Sequence, residues 1–172
     1  GDGEDRPEEI KSLVDKIVSE PDKSVVAKRI KRSEGFLFQM LYRIHKYLTL
    51  FTTGRRVNFG NYSCLTKKDL KILSTKPSLW SSYSGTFKKN IENYNEVNSI
   101  RGMRYFGPSQ MSLFKLFIHS FSIIAVFKYR VFTFSIIYLI LIHYLVFLIK
   151  FNFLFFQILI ILFNIFVFIV SF

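Results

Sequence analysis

Residues 131–149 read VFTFSIIYLILIHYLVFLI and residues 151–172 read FNFLFFQILIILFNIFVFIVSF, and neither run contains an Asp, Glu, Lys or Arg. As helices rising about 1.5 Å per residue they cover roughly 28 and 33 Å, close to the hydrocarbon thickness of a bilayer. A buried helix of a water-soluble protein keeps some polar rhythm, whereas Phe, Ile and Leu here run right round the helix. Two membrane-spanning helices, or one and a re-entrant segment, are expected over 131–172. His143, Asn152, Gln157 and Asn164 are the strongly polar side chains of this part. Neutral polar groups in membrane helices more often bond a neighbouring helix than perform chemistry, so none is given a catalytic role.

Working outward, residues 111–127 form a mostly apolar stripe through Leu113, Leu116, Phe117, Ile124 and Phe127, and 111–130 is expected to be an amphipathic juxtamembrane helix ended by Lys128 and Arg130. Lys115, Lys128 and Arg130 precede the first apolar run, so the positive-inside rule puts the α/β part in the cytoplasm; the membrane expected is a bacterial inner membrane. The net charge of +12 is unevenly placed. Residues 1–22 hold 3 basic and 8 acidic side chains, and residues 23–89 hold 15 basic and 2 acidic. A basic slab beside an apolar tail suits anionic headgroups and phosphate-bearing substrates. Nucleic acid also suits a basic surface but leaves the apolar tail unexplained, so none is expected. The single Cys64 excludes an internal disulfide and has no zinc-site spacing around it; it reads as a small buried residue.

Upstream, the periods alternate. Asp5 and Glu8 are spaced to cap a helix that Pro7 starts, and Ile10, Leu13, Val14 and Ile17 recur at helical spacing over 7–19. Residues 24–30 read as a short buried strand, 36–51 as a helix with Arg43, His45 and Lys46 off its apolar stripe, and 57–65 as extended, with Gly60 at a bulge or close approach. Short helices are expected over 67–73 and 78–89, and a strand over 97–103, before Gly107 and Pro108 break the chain. The fold class is therefore α/β over 1–110, then the juxtamembrane helix, then the apolar hairpin. His45 and His119 lack spaced partners and read as structural.

Four stretches carry chemistry. They are Asp2-Gly3-Glu4-Asp5-Arg6-Pro7-Glu8-Glu9-Ile10; Val25-Val26-Ala27-Lys28-Arg29-Ile30-Lys31-Arg32; Thr53-Gly54-Arg55-Arg56-Val57-Asn58-Phe59-Gly60-Asn61-Tyr62; and Arg101-Gly102-Met103-Arg104-Tyr105-Phe106-Gly107-Pro108-Ser109-Gln110-Met111-Ser112. In this order, ahead of apolar spans, they resemble the inverting family-2 glycosyltransferases, in particular the dolichyl- or polyprenyl-phosphate mannosyltransferase-like branch. The resemblance implies the C-terminal part of a GT-A, Rossmann-like nucleotide-diphospho-sugar transferase domain. It implies transfer of a sugar from a nucleotide-sugar donor to a polyprenyl-phosphate acceptor, and it allows a homo-oligomer.

The same resemblance assigns roles. Asp2 matches the second residue of an Asp-x-Asp pair that holds a divalent cation, Mg2+ or Mn2+, against the charge developing on a diphosphate leaving group. Glu4 lies where relatives carry Gln near the metal and phosphates, so Asp2 and Glu4 are the donor-side candidates. Arg29 and Arg32 stand in a strand-end Arg-x-x-Arg loop suited to bidentate contact with a lipid phosphate. Gly60 and Asn61 fall in an acceptor-side turn where relatives have Asp; an anionic phosphate acceptor needs no strong base there. Arg104 and Ser109 match a phosphate-holding segment in which Gln110 replaces the usual Lys. Because the chain opens at Gly1 inside this working loop, it reads as a fragment expected to be inactive alone. The alternatives are a non-catalytic basic membrane-anchored protein that binds anionic lipid or a partner, and a glycosyltransferase with a hydroxyl acceptor.

Overall fold

The computed structural model describes residues 5–31, 36–100, 102, 112–149 and 153–171. Pro7 opens a 3-10 turn, Pro7–Glu9, that runs into α1, Ile10–Ser19. Contrary to the capping expected of Asp5 and Glu8, Arg6 is the N-cap, with no side-chain cap hydrogen bond, and Glu8 faces the Arg6 guanidinium at 3.8 Å. Proline at the first helical position fixes φ and brings no orphan N–H of its own, so this start depends less on a capping side chain. β1, Ser24–Lys31, α2, Phe36–Thr53, β2, Phe59–Cys64, and α3, Lys67–Ser74, follow as read. The helix expected over 78–89 is divided into a 3-10 turn, Pro77–Leu79, and α4, Tyr83–Asn90, because Ser82 adopts an extended conformation and caps α4 by accepting from Gly85 N at 3.2 Å.

The last strand, β3, is Tyr94–Ile100, starting three residues earlier than its apolar content indicated. Its polar opening, Tyr94-Asn95-Glu96, pairs with Ser24-Val25-Val26, so backbone pairing recruits residues whose side chains gave no strand signal. Among the described residues the sheet has the order β2-β1-β3, with β1 antiparallel to β2 and parallel to β3. Alternate residues of β1 supply two cores. Val25 and Ala27 pack with Leu13 of α1, while Val26 packs with Phe59, Leu73, Phe87 and Ile91 from β2 and the α3–α4 side. Cys64 is half-buried against the α1 core. Phe59, Phe87 and Tyr94 make edge-on ring contacts at 5.2 to 5.7 Å. Buried Ser24 fastens α3, donating to Asp69 Oδ2 at 2.6 Å and accepting from Thr66 N at 3.1 Å.

α5, Leu113–Ala125, begins at the Ser112 cap and breaks at Val126–Phe127. Lys128 and Arg130 therefore open α6, Lys128–Ile149, instead of closing the juxtamembrane helix. α7, Leu154–Val170, packs back on both, through a core of Phe121, Ile124, Ala125, Val131 and Val167. Lys128 Nζ donates to Ser171 Oγ at 3.4 Å, so the start of α6 and the end of α7 lie at one level and the two helices form a hairpin. Among the described residues α6 is the helix long and apolar enough to cross a membrane, over Lys128–Phe147, with 11% of its span buried. α7, at 17 residues and about 25 Å, is shorter. Asn164 donates to Ile160 O of its own helix at 2.8 Å, not to a neighbouring helix as expected of such polar groups.

The α/β part sits on this apolar bundle at two places. Gly85 of α4 lies so close to α5 that a Cβ there would meet Val126 Cγ2 at 3.1 Å and Ile123 O at 3.2 Å. α2 lies on α6, where Tyr138 Oη donates to Phe51 O at 2.7 Å.

Candidate functional site

Four segments distant in sequence meet where the parallel strands end. Arg29 is paired with Ser99 and Lys31 with Ile100, a register shift leaving Ile30 as the extra residue at the end of β1. On the other side Lys28 is opposite Phe59, while Val26 is opposite Ser63, so β2 holds extra residues through Gly60 and Asn61 and bulges there. The start of α1 closes the same end. Ser99 Oγ donates to Glu9 Oε2 at 2.6 Å, Ile100 N donates to Glu9 Oε1 at 2.9 Å, and Tyr62 Oη donates to Arg6 O at 2.8 Å. Lys28 Nζ and Glu96 Oε2 are 2.8 Å apart across β1 and β3. Their pairing, hydrogen bond first and charge second, raises the lysine's pKa. The carboxyl ends of parallel strands are the usual place for ligands in open α/β sheets, because successive loops leave the sheet there and converge.

Of the residues singled out from sequence, Gly60 and Asn61 are described: Gly60 is half-buried, and Asn61 is exposed with its carbonyl accepting from Ser63 Oγ at 3.3 Å. Arg29 is placed by its backbone at this end of the sheet. Asp2, Glu4, Arg32, Arg104 and Ser109 lie outside the described residues. Among the described residues no three His, Cys, Asp or Glu side chains stand together as a metal site. Glu9, Tyr62 and Ser99 hold the segments together and were not anticipated. The available signal was the second of two adjacent glutamates in a helix's first turn, which sequence alone reads as a helix-dipole partner.

A second charged feature lies at the turn between α5 and α6. Lys89 of α4 reaches over to donate to Val126 O at 2.7 Å, capping a helix end with a cation. Its pKa is lowered, first by loss of hydration and then by Lys128, Lys76 and Arg130. Four cations thus share the level at which the apolar hairpin begins. Trp80, 96% exposed, and Tyr129, also exposed, flank them in sequence.

These features define a class: a small mixed α/β unit, with polar groups joining its segments at the strand ends, mounted on an apolar helical hairpin. No protein-family model matches the chain, and no curated protein or solved structure matches it significantly.

Proposed function

We propose that this chain is part of a membrane-bound inverting glycosyltransferase that moves a sugar from a nucleotide-sugar donor to a polyprenyl phosphate. The observation that carries the proposal is the convergence of segments 5–9, 28–31, 59–62 and 96–100 at one end of the sheet. Those segments belong to, or lead directly into, the four stretches that carry the resemblance. The arrangement supports the finer assignment of a GT-A half-domain and of two spans, α6 and α7, that hold its acceptor side against the lipid.

In this proposal Arg29 and Arg32 orient the acceptor phosphate through bidentate hydrogen bonds, and Arg104 and Ser109 hold phosphate at the membrane side. An acceptor phosphate oxygen attacks the anomeric carbon, the bond from that carbon to the nucleotide diphosphate breaks, and the configuration inverts. The attacking oxygen is already anionic, so Asn61 suffices where a hydroxyl acceptor would call for a base. A divalent cation, when bound at Asp2 with Glu4 nearby, supplies charge neutralisation for the leaving diphosphate.

The test is transfer of labelled sugar from nucleotide-sugar to polyprenyl phosphate by the full-length protein in membranes. Asp2→Ala is expected to abolish transfer while leaving membrane insertion intact; unchanged activity would sink the metal assignment, and an inactive wild type would sink the proposal. A second reading, a non-catalytic basic protein that binds anionic lipid, is favoured by the cations around Lys89. It predicts that wild type and Asp2→Ala behave alike, with neither transferring sugar.

A further inference from the structure

We propose that α2 is a third membrane-contacting helix, lying in the lipid beside α6 with one face against acyl chains. The inference is independent of the transferase proposal and rests on α6 lying in a bilayer. Met40, Ile44, Tyr47 and Phe51 recur at intervals of four, three and four residues, which aligns them on one face of a helix. They are between 42 and 63% exposed. The opposite side is occupied: Thr49 and Thr53 are buried, and Leu48 packs on the Phe121–Val131–Val167 core.

The polar groups at the C-terminal end of α2 are met within the protein. Thr52 Oγ1 donates to Leu48 O at 2.7 Å and Thr53 Oγ1 to Thr49 O at 2.6 Å, so both hydroxyls are satisfied within the helix. Carbonyls in the last turn of a helix have no partner of their own within it. Here Phe51 O accepts from Tyr138 Oη at 2.7 Å and Thr53 O from Arg130 Nη1 at 3.4 Å. In hydrocarbon such groups must be met by protein, and α6 meets them. Gly54, at φ +66°, lets the chain turn away while sitting so near Phe134 that a Cβ would lie 3.3 Å from its ring.

Lipid is the occupant these observations favour over a second copy of the chain. α2 packs on α6 through the Tyr138–Phe51 and Gly54–Phe134 contacts, and α6 is the long apolar helix with little of its length buried, so what surrounds α6 also reaches α2. The formal charges of α2 are Arg43 and Lys46, both positive. By helical spacing both stand off the stripe, which leaves the stripe itself uncharged, and anionic headgroups attract the cations beside it.

The experiment places a single spin-labelled cysteine at Ile44, Ile140 or Leu70 in a Cys64→Ser background, with the full chain in vesicles of mixed zwitterionic and anionic lipid. Collision with dissolved oxygen and with a water-soluble nickel chelate is then measured. The label at Ile44 is expected to match Ile140, oxygen-accessible and shielded from nickel, while Leu70, exposed on α3, shows the reverse. Nickel accessibility at Ile44 with Ile140 shielded overturns the proposal for α2 alone. Nickel accessibility at Ile140 overturns the membrane hairpin and this inference with it. Spin–spin broadening at Ile44 that vanishes on dilution with unlabelled protein overturns lipid in favour of a second copy.

Discussion

The carboxylate of Glu9 takes hydrogen bonds from Ser99 Oγ and Ile100 N, while Glu8, one residue earlier, faces the exposed Arg6 guanidinium. One peptide step turns a side chain about 100° round a helix, so two identical residues divide between an inter-element clamp and the surface. A similar selectivity marks Glu20, at the end of α1. Lys16 and Lys23 both hydrogen-bond its carboxylate, taking its pKa from the ordinary 4.5 to about 2. The folded-state pKa is depressed, so the stabilisation is fully present above about 4.5 and is lost as the pH falls through the interval from 4.5 to about 2. Because the group is only half-buried, salt screens it. Glu20→Gln is expected to lower stability above about pH 4.5 and, by the same amount, to flatten the acid limb between pH 4.5 and 2, because the stabilisation removed is the one that titrates there. Denaturant titration at a series of pH values checks this; an unchanged acid limb would show that the lysine contacts contribute nothing net.

Between elements, the closest fit is α4 on α5. Gly85→Ala would bring a methyl to 3.1 Å from Val126 Cγ2 and to 3.2 Å from Ile123 O and Ser82 Oγ, and the Ile123 carbonyl, fixed in a helix, cannot yield as a side-chain tip can. The expected cost is about 1–3 kcal/mol, the usual range for overpacking. It should appear as a lowered thermal midpoint in detergent with α-helix content kept; an unshifted midpoint would mean that α5 slides freely on α4. Nothing at Gly85 announces this contact in the sequence, because a small residue in a helix is read against its neighbours in the chain and not against a helix forty residues away. The same limit explains what was and was not legible. Helices with an apolar period and β1 with its Val-rich run stood out. The start of β3 did not, since Tyr94-Asn95-Glu96 becomes strand by pairing with β1. Of the site, Gly60 at the β2 bulge was visible as a backbone signal, whereas Glu9, Tyr62 and Ser99 depend on which strand ends the fold makes neighbours.

For the molecule as a whole, the arrangement of cations and apolar helices makes a statement about orientation. Lys115 stands in the first turn of α5 and Lys128 and Arg130 in the first turn of α6, and Lys150 is the one formal charge between the apolar runs. The Lys128–Ser171 hydrogen bond returns the end of α7 to the level of those cations. If α6 and α7 both cross the bilayer, the α/β part and residue 171 share one side, and the positive-inside rule proposes the cytoplasmic one. Single cysteines in place of Lys67 and Ser171, in a Cys64→Ser background, should therefore react with a membrane-impermeant maleimide from the same side of sealed vesicles. Reaction from opposite sides would reduce the hairpin to one span. Replacing Lys115, Lys128 and Arg130 together by Gln leaves Lys150 as the nearest flanking cation, on the far side. That variant is expected to change a single orientation into a mixture of roughly equal populations, since the bias that fixes it has been removed. Retention of one orientation would mean that the folded α/β part, too large and polar to be translocated, sets the topology without help from the flanking charges.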